Sequence, residues 1–118
     1  MQVVEKVWGR EEIIVNEAYC GKRMFLKKGY RCSLHMHLTK DETFFMTKGS
    51  MQVLICPGEG PAEVVILRVN ETLRIKPKTW HSFTGLDDEN EFFEFSTHHD
   101  AADTVRRVAS GKVDEDPK

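Results

Sequence analysis

Apolar residues along this chain recur in short runs that are separated by turn-forming residues. Gly21, Gly29 and Gly49 and the segment CPGEGP interrupt the pattern, and Pro77 ends a later run. The runs are rich in β-branched and aromatic residues, and several of them alternate apolar with polar positions, which is typical of β-strands. The predicted strands are Glu11–Asn16, Lys22–Lys27, Ser33–Leu38, Glu42–Thr47, Met51–Ile55, Glu63–Val69, Thr72–Ile75 and Glu91–Thr97. Many short strands with frequent turns indicate an all-β sandwich or barrel rather than a parallel α/β sheet.

One segment near the C-terminus is predicted to be a short helix. Asp100 is a typical N-cap residue, Asp103 places an acid in the first turn, and two arginines follow in the last turn before Ala109. Gly111 is predicted to end this helix. The tail, 110–118, is mostly charged and is expected to be frayed. No linker or internal repeat divides the 118 residues, so we expect a single domain, 1–118.

Composition narrows the classes of function. The formal net charge of −2 does not indicate a basic surface, so a nucleic-acid partner is not expected. No apolar run approaches the ~18 residues of a membrane span, and the N-terminus has no apolar signal segment. Three cysteines at unrelated spacings argue against a disulfide framework and for a reducing compartment. We therefore expect a cytoplasmic protein without a nucleic-acid or membrane partner.

The candidate chemistry lies in the stretch GYRCSLHMHLTKDETFFMTKG. His35 and His37 are two positions apart, so on a strand they project from the same face. Glu42 begins the next predicted strand after a short turn, and His81 is available as a fourth ligand from a distant segment. Three imidazole nitrogens and one carboxylate oxygen suit one divalent transition metal (Mn, Fe, Co, Ni or Zn), and the donor types do not select among these.

The spacing of Gly29, His35, His37, Glu42 and Gly49 resembles the first motif of the cupin superfamily at every defining position. The segment NETLRIKPKTWHSFTGL is similar to the second motif, with Pro77 and His81 in place. It departs from that motif in having Glu71 where a glycine is usual and a turn that is one residue shorter. The resemblance implies a small antiparallel β-barrel or jelly roll. It also implies one metal in the mouth of the barrel, held by His35, His37, Glu42 and His81.

Within the cupins the chain looks most like the type II mannose-6-phosphate isomerase group. The segments KVWGREEII, GKRMFLKKG and EFFEFSTHHDAADTVRR carry this likeness. It implies a sugar or sugar-phosphate isomerase, in which a divalent metal polarises the carbonyl of an open-chain sugar and a base moves a proton between neighbouring carbons. Two other classes stay open. The same ligands with iron suit a dioxygenase, and a carbohydrate- or metabolite-binding cupin would hold its ligand without turnover.

The residues beyond the metal ligands are less clearly marked. Glu94 is the candidate base if it faces the cavity; the alternative is that Phe93 and Phe95 face inward and leave Glu94 in solvent. Lys22 and Arg23 lie on opposite faces of one strand, so one of them is expected to reach the pocket and bind a phosphate or hydroxyl group, unless both lie on a solvated surface.

Three further expectations concern histidine and tryptophan side chains. Either His98 or His99 takes part in proton transfer, or both lie on the surface. Trp80 stacks on a sugar ring or seals the rim of the barrel. The N-terminal edge strand near Trp8 supports a homodimer, because an edge strand offers unpaired backbone groups to a second chain.

Overall fold

The computed structural model of this chain describes residues 1–56 and 61–113, and nearly all of its regular structure is antiparallel β. The strands within these ranges are β1 (Gln2–Lys6), β2 (Gly9–Asn16), β3 (Tyr19–Lys27), β4 (Tyr30–Arg31), β5 (Leu34–His37), β6 (Glu42–Lys48), β7 (Ser50–Cys56), β8 (Glu63–Arg68), β9 (Thr72–Ile75), β10 (Trp80–Gly85), β11 (Glu89–Thr97), β12 (Thr104–Val108) and β13 (Gly111–Lys112). No helix in the part of the chain that the structure describes is long and apolar enough to cross a membrane.

Two sheets face one another. The first sheet has the order β1-β2-β3-β11-β6-β9, and the second has the order β12-β5-β10-β4-β13, with β7 beside β10 and β8 beside β7. The predicted all-β sandwich is confirmed. All eight predicted strands form, whereas β1, β4, β10, β12 and β13 were not predicted.

The core lies between the sheets and follows the two-residue period of the strands. On β6, Phe44 and Met46 share the inward face with Glu42 and are fully buried, while Phe45 points outward. Four aromatic side chains from both sheets and from the β1–β2 turn meet edge to face, with ring centroids between 5.1 and 5.8 Å apart. These four are Trp8, Phe44, Phe83 and Phe92.

The predicted helix from Asp100 to Ala109 was wrong in its extent. Asp100 does cap a helical turn, since its carboxylate accepts a hydrogen bond from the Ala102 amide, but the turn is a single 3₁₀ turn that ends at Asp103. The residues that follow form β12, which pairs with β5. β-branched residues at 104, 105 and 108 favour a strand, and the open edge of β5 supplies hydrogen-bond partners that an isolated short helix lacks. Gly111–Lys112 pair with β4, and residues 114–118 of the tail that we expected to be frayed lie outside the described residues.

Candidate metal centre

Three histidines converge where β5 and β10 pair. His35 and His37 project from the same face of β5, and His81 on β10 lies directly opposite His35 in the ladder. Their ring centroids are 4.4, 5.1 and 5.8 Å apart. One ring nitrogen from each histidine lies within 4.8 Å of the other two, so the three side chains form a group that could hold a metal ion.

The backbone fixes which nitrogen of two of these imidazoles can act as a ligand. His35 Nδ1 lies 2.6 Å from the Ser33 carbonyl oxygen, and His81 Nδ1 lies 2.9 Å from the Thr79 carbonyl oxygen. A carbonyl oxygen can only accept a hydrogen bond, so both Nδ1 atoms must carry the proton. Burial and the neighbouring His81 lower the pKa of His35 to about 3, which keeps its ring neutral. The Nε2 atom of His35 therefore presents a lone pair, the state that a metal ligand requires.

Glu42 approaches the histidines from β6 of the opposite sheet. Its Oε2 lies 3.1 Å from His37 Nε2, and its Oε1 lies 3.4 Å from His81 Nε2. The Thr104 hydroxyl on β12 lies 3.2 Å from His37 Nδ1 and orients that ring. Burial acts to raise the pKa of Glu42, but the two imidazoles and the Lys40 ammonium hold it well below its usual value, so Glu42 is a carboxylate.

Among the described residues, Glu42 Oε2 and His81 Nε2 are buried and have no hydrogen-bond partner. A buried polar atom without a hydrogen-bond partner costs about 1–3 kcal/mol. A cation between them would satisfy both. The residues present therefore fit a divalent metal, although their assignment as its ligands stays a prediction.

A buried lysine lies beside this group, and the sequence pattern did not identify it. Lys40 comes from the β5–β6 turn, yet its side chain is only 1% exposed. Its Nζ lies 2.6 Å from Glu94 Oε2, 3.7 Å from Glu42 Oε2 and 3.2 Å from His99 Nδ1. Burial alone would lower the pKa of Lys40, but the two carboxylates raise it above its usual value. The Asp103 carboxylate accepts a hydrogen bond from the backbone amide of Lys40 and fixes the turn that carries this side chain.

The structure decides which way the remaining candidate residues point. Glu94 is 4% exposed and faces the same space as Glu42, so the alternative in which the phenylalanines beside it face inward was wrong. Lys22 also faces inward and lies 3.6 Å from Glu11 Oε1, whereas Arg23 lies on the outer face of the sheet. The catalytic roles of Glu94 and Lys22 stay predictions.

The two late histidines differ in environment. His99 lines the cavity, and burial and the nearby lysines lower its pKa to about 4. The exposed His98 lies on the outside of the fold, where its Nδ1 is 2.8 Å from the Glu17 carbonyl oxygen. Trp80 lies under the guanidinium of Arg107, whose central carbon is 5.2 Å from the ring centroid. This contact favours the rim position that we considered for Trp80.

The histidines at 35, 37 and 99 line a cavity of about 240 Å³ between the two sheets. This volume lies just below the ~300 Å³ at which most ligand pockets begin, so it suits a small substrate. The wall is strongly polar, and cationic and acidic side chains alternate around the histidines. The charged wall residues are Lys6, Glu11, Lys22, Lys40, Glu42, Glu94 and Arg106.

Neither a family model nor a curated protein matches this sequence, but solved structures do. A variant of Bacillus subtilis oxalate decarboxylase has a TM-score of 0.80 at 21% identity over 90% of this chain. The formate complex of Lactobacillus farciminis oxalate decarboxylase has a TM-score of 0.77 at 20% identity over 89% of this chain. This chain spans only 30% and 33% of those two chains. Likeness at this identity shows the fold alone, and the fold is that of the cupins, as the motif resemblance implied.

Proposed function

We propose that this protein is a divalent-metal enzyme that isomerises a small sugar or sugar phosphate in the cavity between its sheets. One observation supports this proposal above the others. His35, His37 and Glu42 line one cavity with Glu94, a second buried carboxylate that lies outside the ligand group, and His81 lies against the other two histidines. An isomerase needs both parts, namely a site for the carbonyl oxygen and a separate base for the carbon-bound proton.

The three histidines and Glu42 would hold the metal, two of the histidines through the Nε2 atoms that their backbone contacts leave free. A divalent ion at this position would act as a Lewis acid toward adjacent oxygens of the open-chain sugar. The donor set suits Mn, Fe, Co, Ni or Zn. The polypeptide supplies an apolar part of the wall, since Trp8, Met24 and Phe83 line the cavity and are at most 4% exposed.

Glu94 would transfer the proton. Its carboxylate would take the proton from the carbon beside the carbonyl and return it to the former carbonyl carbon, while the hydroxyl proton passes from the neighbouring oxygen to the former carbonyl oxygen, so that no proton is gained or lost overall. Lys40, at 2.6 Å, offsets the cost of burying the Glu94 charge and holds the carboxylate in place. Lys22 and Arg106, which also line the cavity, would receive a phosphate or hydroxyl group of the substrate.

A second function is favoured by a different observation. The structural neighbours named above are oxalate decarboxylases, and the cavity wall carries lysine and arginine side chains that would also bind a small carboxylate. On this alternative the substrate is a small dicarboxylate, and the reaction releases carbon dioxide rather than moving a proton within a sugar.

The first experiment measures metal content. We expect about one transition-metal ion per chain in the purified protein by elemental analysis, and loss of that ion in a His35→Ala, His37→Ala double variant. Full metal content in that variant would show that the ligands are assigned wrongly. The stripped protein is then loaded with each of the five metals and assayed with a panel of hexoses and hexose phosphates under nitrogen and in air.

Glu94→Gln tests the base, with Glu91→Gln on the outer face of the same strand as the matched control. We expect Glu94→Gln to keep its metal and to lose roughly 10²–10⁴-fold in turnover, whereas Glu91→Gln keeps both. Carbon dioxide release from oxalate by the loaded protein, without isomerisation of any sugar, would replace the first proposal with the second. Oxygen consumption that requires iron would identify a dioxygenase, and metal binding without turnover of any substrate would contradict both proposals.

A further inference from the structure

The side chain of His99 lines the cavity but belongs neither to the candidate metal ligands nor to the candidate base. Its Nδ1 lies 3.2 Å from Lys40 Nζ, and the same Nζ lies 2.6 Å from Glu94 Oε2. Its ring centroid is 6.4 Å from that of His37, at an interplanar angle of 78°. His99 therefore stands beside both the candidate base and one candidate metal ligand, which is where the reacting atoms of a substrate would lie.

The backbone of His99 is held in place although it lies beyond the end of β11. Asn16, at the end of β2, donates a hydrogen bond from its Nδ2 to the His99 carbonyl oxygen at 3.0 Å. The Asn16 Oδ1 accepts a hydrogen bond from the His99 amide at 2.8 Å. This two-bond clamp fixes the point from which the imidazole enters the cavity. A group that must meet a substrate in one geometry gains from such preorganisation.

The contact with Lys40 fixes the tautomer of His99. An ammonium group has three N–H donors and no acceptor, so His99 Nδ1 accepts the hydrogen bond and carries no proton. A neutral imidazole holds its one proton on the other nitrogen, so Nε2–H is a donor. Within residues 1–56 and 61–113, no protein atom accepts a hydrogen bond from this Nε2, which leaves it available to a substrate.

Moving a carbonyl group between neighbouring carbons displaces two protons, and Glu94 handles only the one that is bound to carbon. The other proton has to pass from a hydroxyl oxygen to the former carbonyl oxygen. Because these two oxygens are adjacent, one group that contacts both can carry it. The Lys40 ammonium at Nδ1 favours this role for His99, since it stabilises the negative charge that develops on the ring as Nε2 gives up its proton.

We propose that His99 is a catalytic residue that carries the proton between the two oxygens of the isomerising sugar. The Nε2–H bond breaks as an O–H bond forms on the former carbonyl oxygen, and Nε2 then takes the proton of the neighbouring hydroxyl group. The ring ends as it began, and no oxidant or reductant is needed. Lys40 acts as a positioning residue that keeps the tautomer. The proposal rests on the proposed isomerase function.

His99→Gln tests this role, and His98→Gln is the matched control because His98 lies on the outside of the fold. A glutamine amide can still accept from Lys40 and donate to a substrate, but it does not readily give up its proton. We expect both variants to keep their circular dichroism spectrum and their metal. With the hexose or hexose phosphate that the metal-loaded wild type isomerises, His99→Gln should lower kcat roughly 10²–10⁴-fold with little change in KM. His98→Gln should change neither.

Hydrogen exchange in deuterium oxide distinguishes proton transfer from a structural role. In His99→Gln, Glu94 still removes and returns the carbon-bound proton, but the intermediate reverts to substrate because the oxygen proton cannot move. The ratio of deuterium entering recovered substrate to product formed should therefore rise roughly tenfold or more above the wild-type ratio. A lost structural role would instead lower exchange and turnover together, as Glu94→Gln should.

The tautomer is measured without turnover, by nitrogen NMR of the full chain with isotope-labelled histidine, before metal is added and at neutral pH. The spectrum of His99→Gln assigns the signals. We expect an unprotonated Nδ1 and a protonated Nε2 for His99. A proton on Nδ1 would overturn the proposal whatever the turnover.

The kinetic outcomes separate this proposal from the function on which it rests. An active wild type with a His99→Gln variant as fast as His98→Gln would overturn the role of His99 alone, as would exchange and turnover that fall together. A wild type that isomerises none of the hexoses or hexose phosphates would overturn the proposed function and the role of His99 with it.

Discussion

Replacing Lys40 with methionine tests whether the cavity depends on its buried cation. The change keeps an unbranched side chain out to the ε position and removes the ammonium that lies 2.6 Å from Glu94 and 3.7 Å from Glu42. Both carboxylates are at most 5% exposed at the side chain, so they cannot turn to bulk water. Removing one partner of a buried ion pair costs about 3–5 kcal/mol, because it leaves an uncompensated buried charge. This is a large part of the roughly 5–15 kcal/mol by which domains are typically stable.

Lys48→Met supplies a control with nearly the same geometry and the opposite burial. Lys48 Nζ lies 2.7 Å from Glu89 Oε2, but the two side chains are 60% and 74% exposed. Exposed pairs of this kind contribute about 0–1 kcal/mol. The two substitutions therefore differ chiefly in whether water can replace the lost partner, and the predicted difference between them is at least ~2 kcal/mol.

The assay is urea unfolding at neutral pH in the presence of a chelator, followed by tryptophan fluorescence, so that bound metal does not contribute. The double variant Lys40→Met, Glu94→Gln should regain most of the lost stability, because it also removes the Glu94 charge that Lys40→Met leaves buried and uncompensated. It also keeps the test usable if Lys40→Met alone does not fold. A Lys40→Met protein whose stability lies within ~1 kcal/mol of that of Lys48→Met would refute the reasoning, as would a double variant that is no more stable than the single one.

Three further predictions follow from the packing. The hydrogen bond and charge of Arg23 hold the pKa of Glu12 below its usual value. Glu12→Gln should therefore lower the free energy of unfolding most above pH ~4.5, and this loss should vanish as the pH falls through the lowered pKa. Urea unfolding of both proteins across acidic pH measures the difference. Burial raises the pKa of the Cys32 thiol to about 12, so alkylation of the native protein followed by peptide mass analysis should spare Cys32 and modify it only after unfolding. Gly49→Ala should lower the melting temperature more than Gly29→Ala in thermal unfolding. Both glycines have a φ above +70°, which costs an alanine about 1–2 kcal/mol. Only at position 49 would the new Cβ lie 2.3 Å from a backbone carbonyl oxygen.

Local pattern predicted most of the fold because each core strand alternates along its own length. The segment after Asp100 shows the limit of this reasoning. Its capping residue and its charge distribution are real helix signals, and the structure uses the cap, but for one turn only. What the sequence does not display is the unpaired edge of β5, which is available only once the second sheet has assembled. Tertiary pairing then outweighs a local preference of a few tenths of a kcal/mol per residue.

The candidate site, too, could be predicted from the sequence only in part. His35, His37 and Glu42 are close in sequence, so their spacing was informative. Lys40 was missed because a lysine in a polar turn is almost always solvated, and its burial depends on two carboxylates contributed by β6 and β11. The direction of Glu94 was left open because the residues on both sides of it are phenylalanines. The decision came from the register, which aligns Glu94 with the buried Lys22 and Phe44 on the neighbouring strands.

The location of the site between the sheets ties its chemistry to the packing of the whole molecule. The histidines belong to one sheet and the two carboxylates to the other, so a bound cation would link the sheets and add its binding free energy to folding. The same register has a consequence on the outer surface. Because side chains alternate on β11, placing Phe92 and Glu94 inside forces Phe93 and Phe95 outside, and a slip of one residue would exchange them. A single strand therefore sets both the inward position of the candidate base and the outward position of the exposed Phe95.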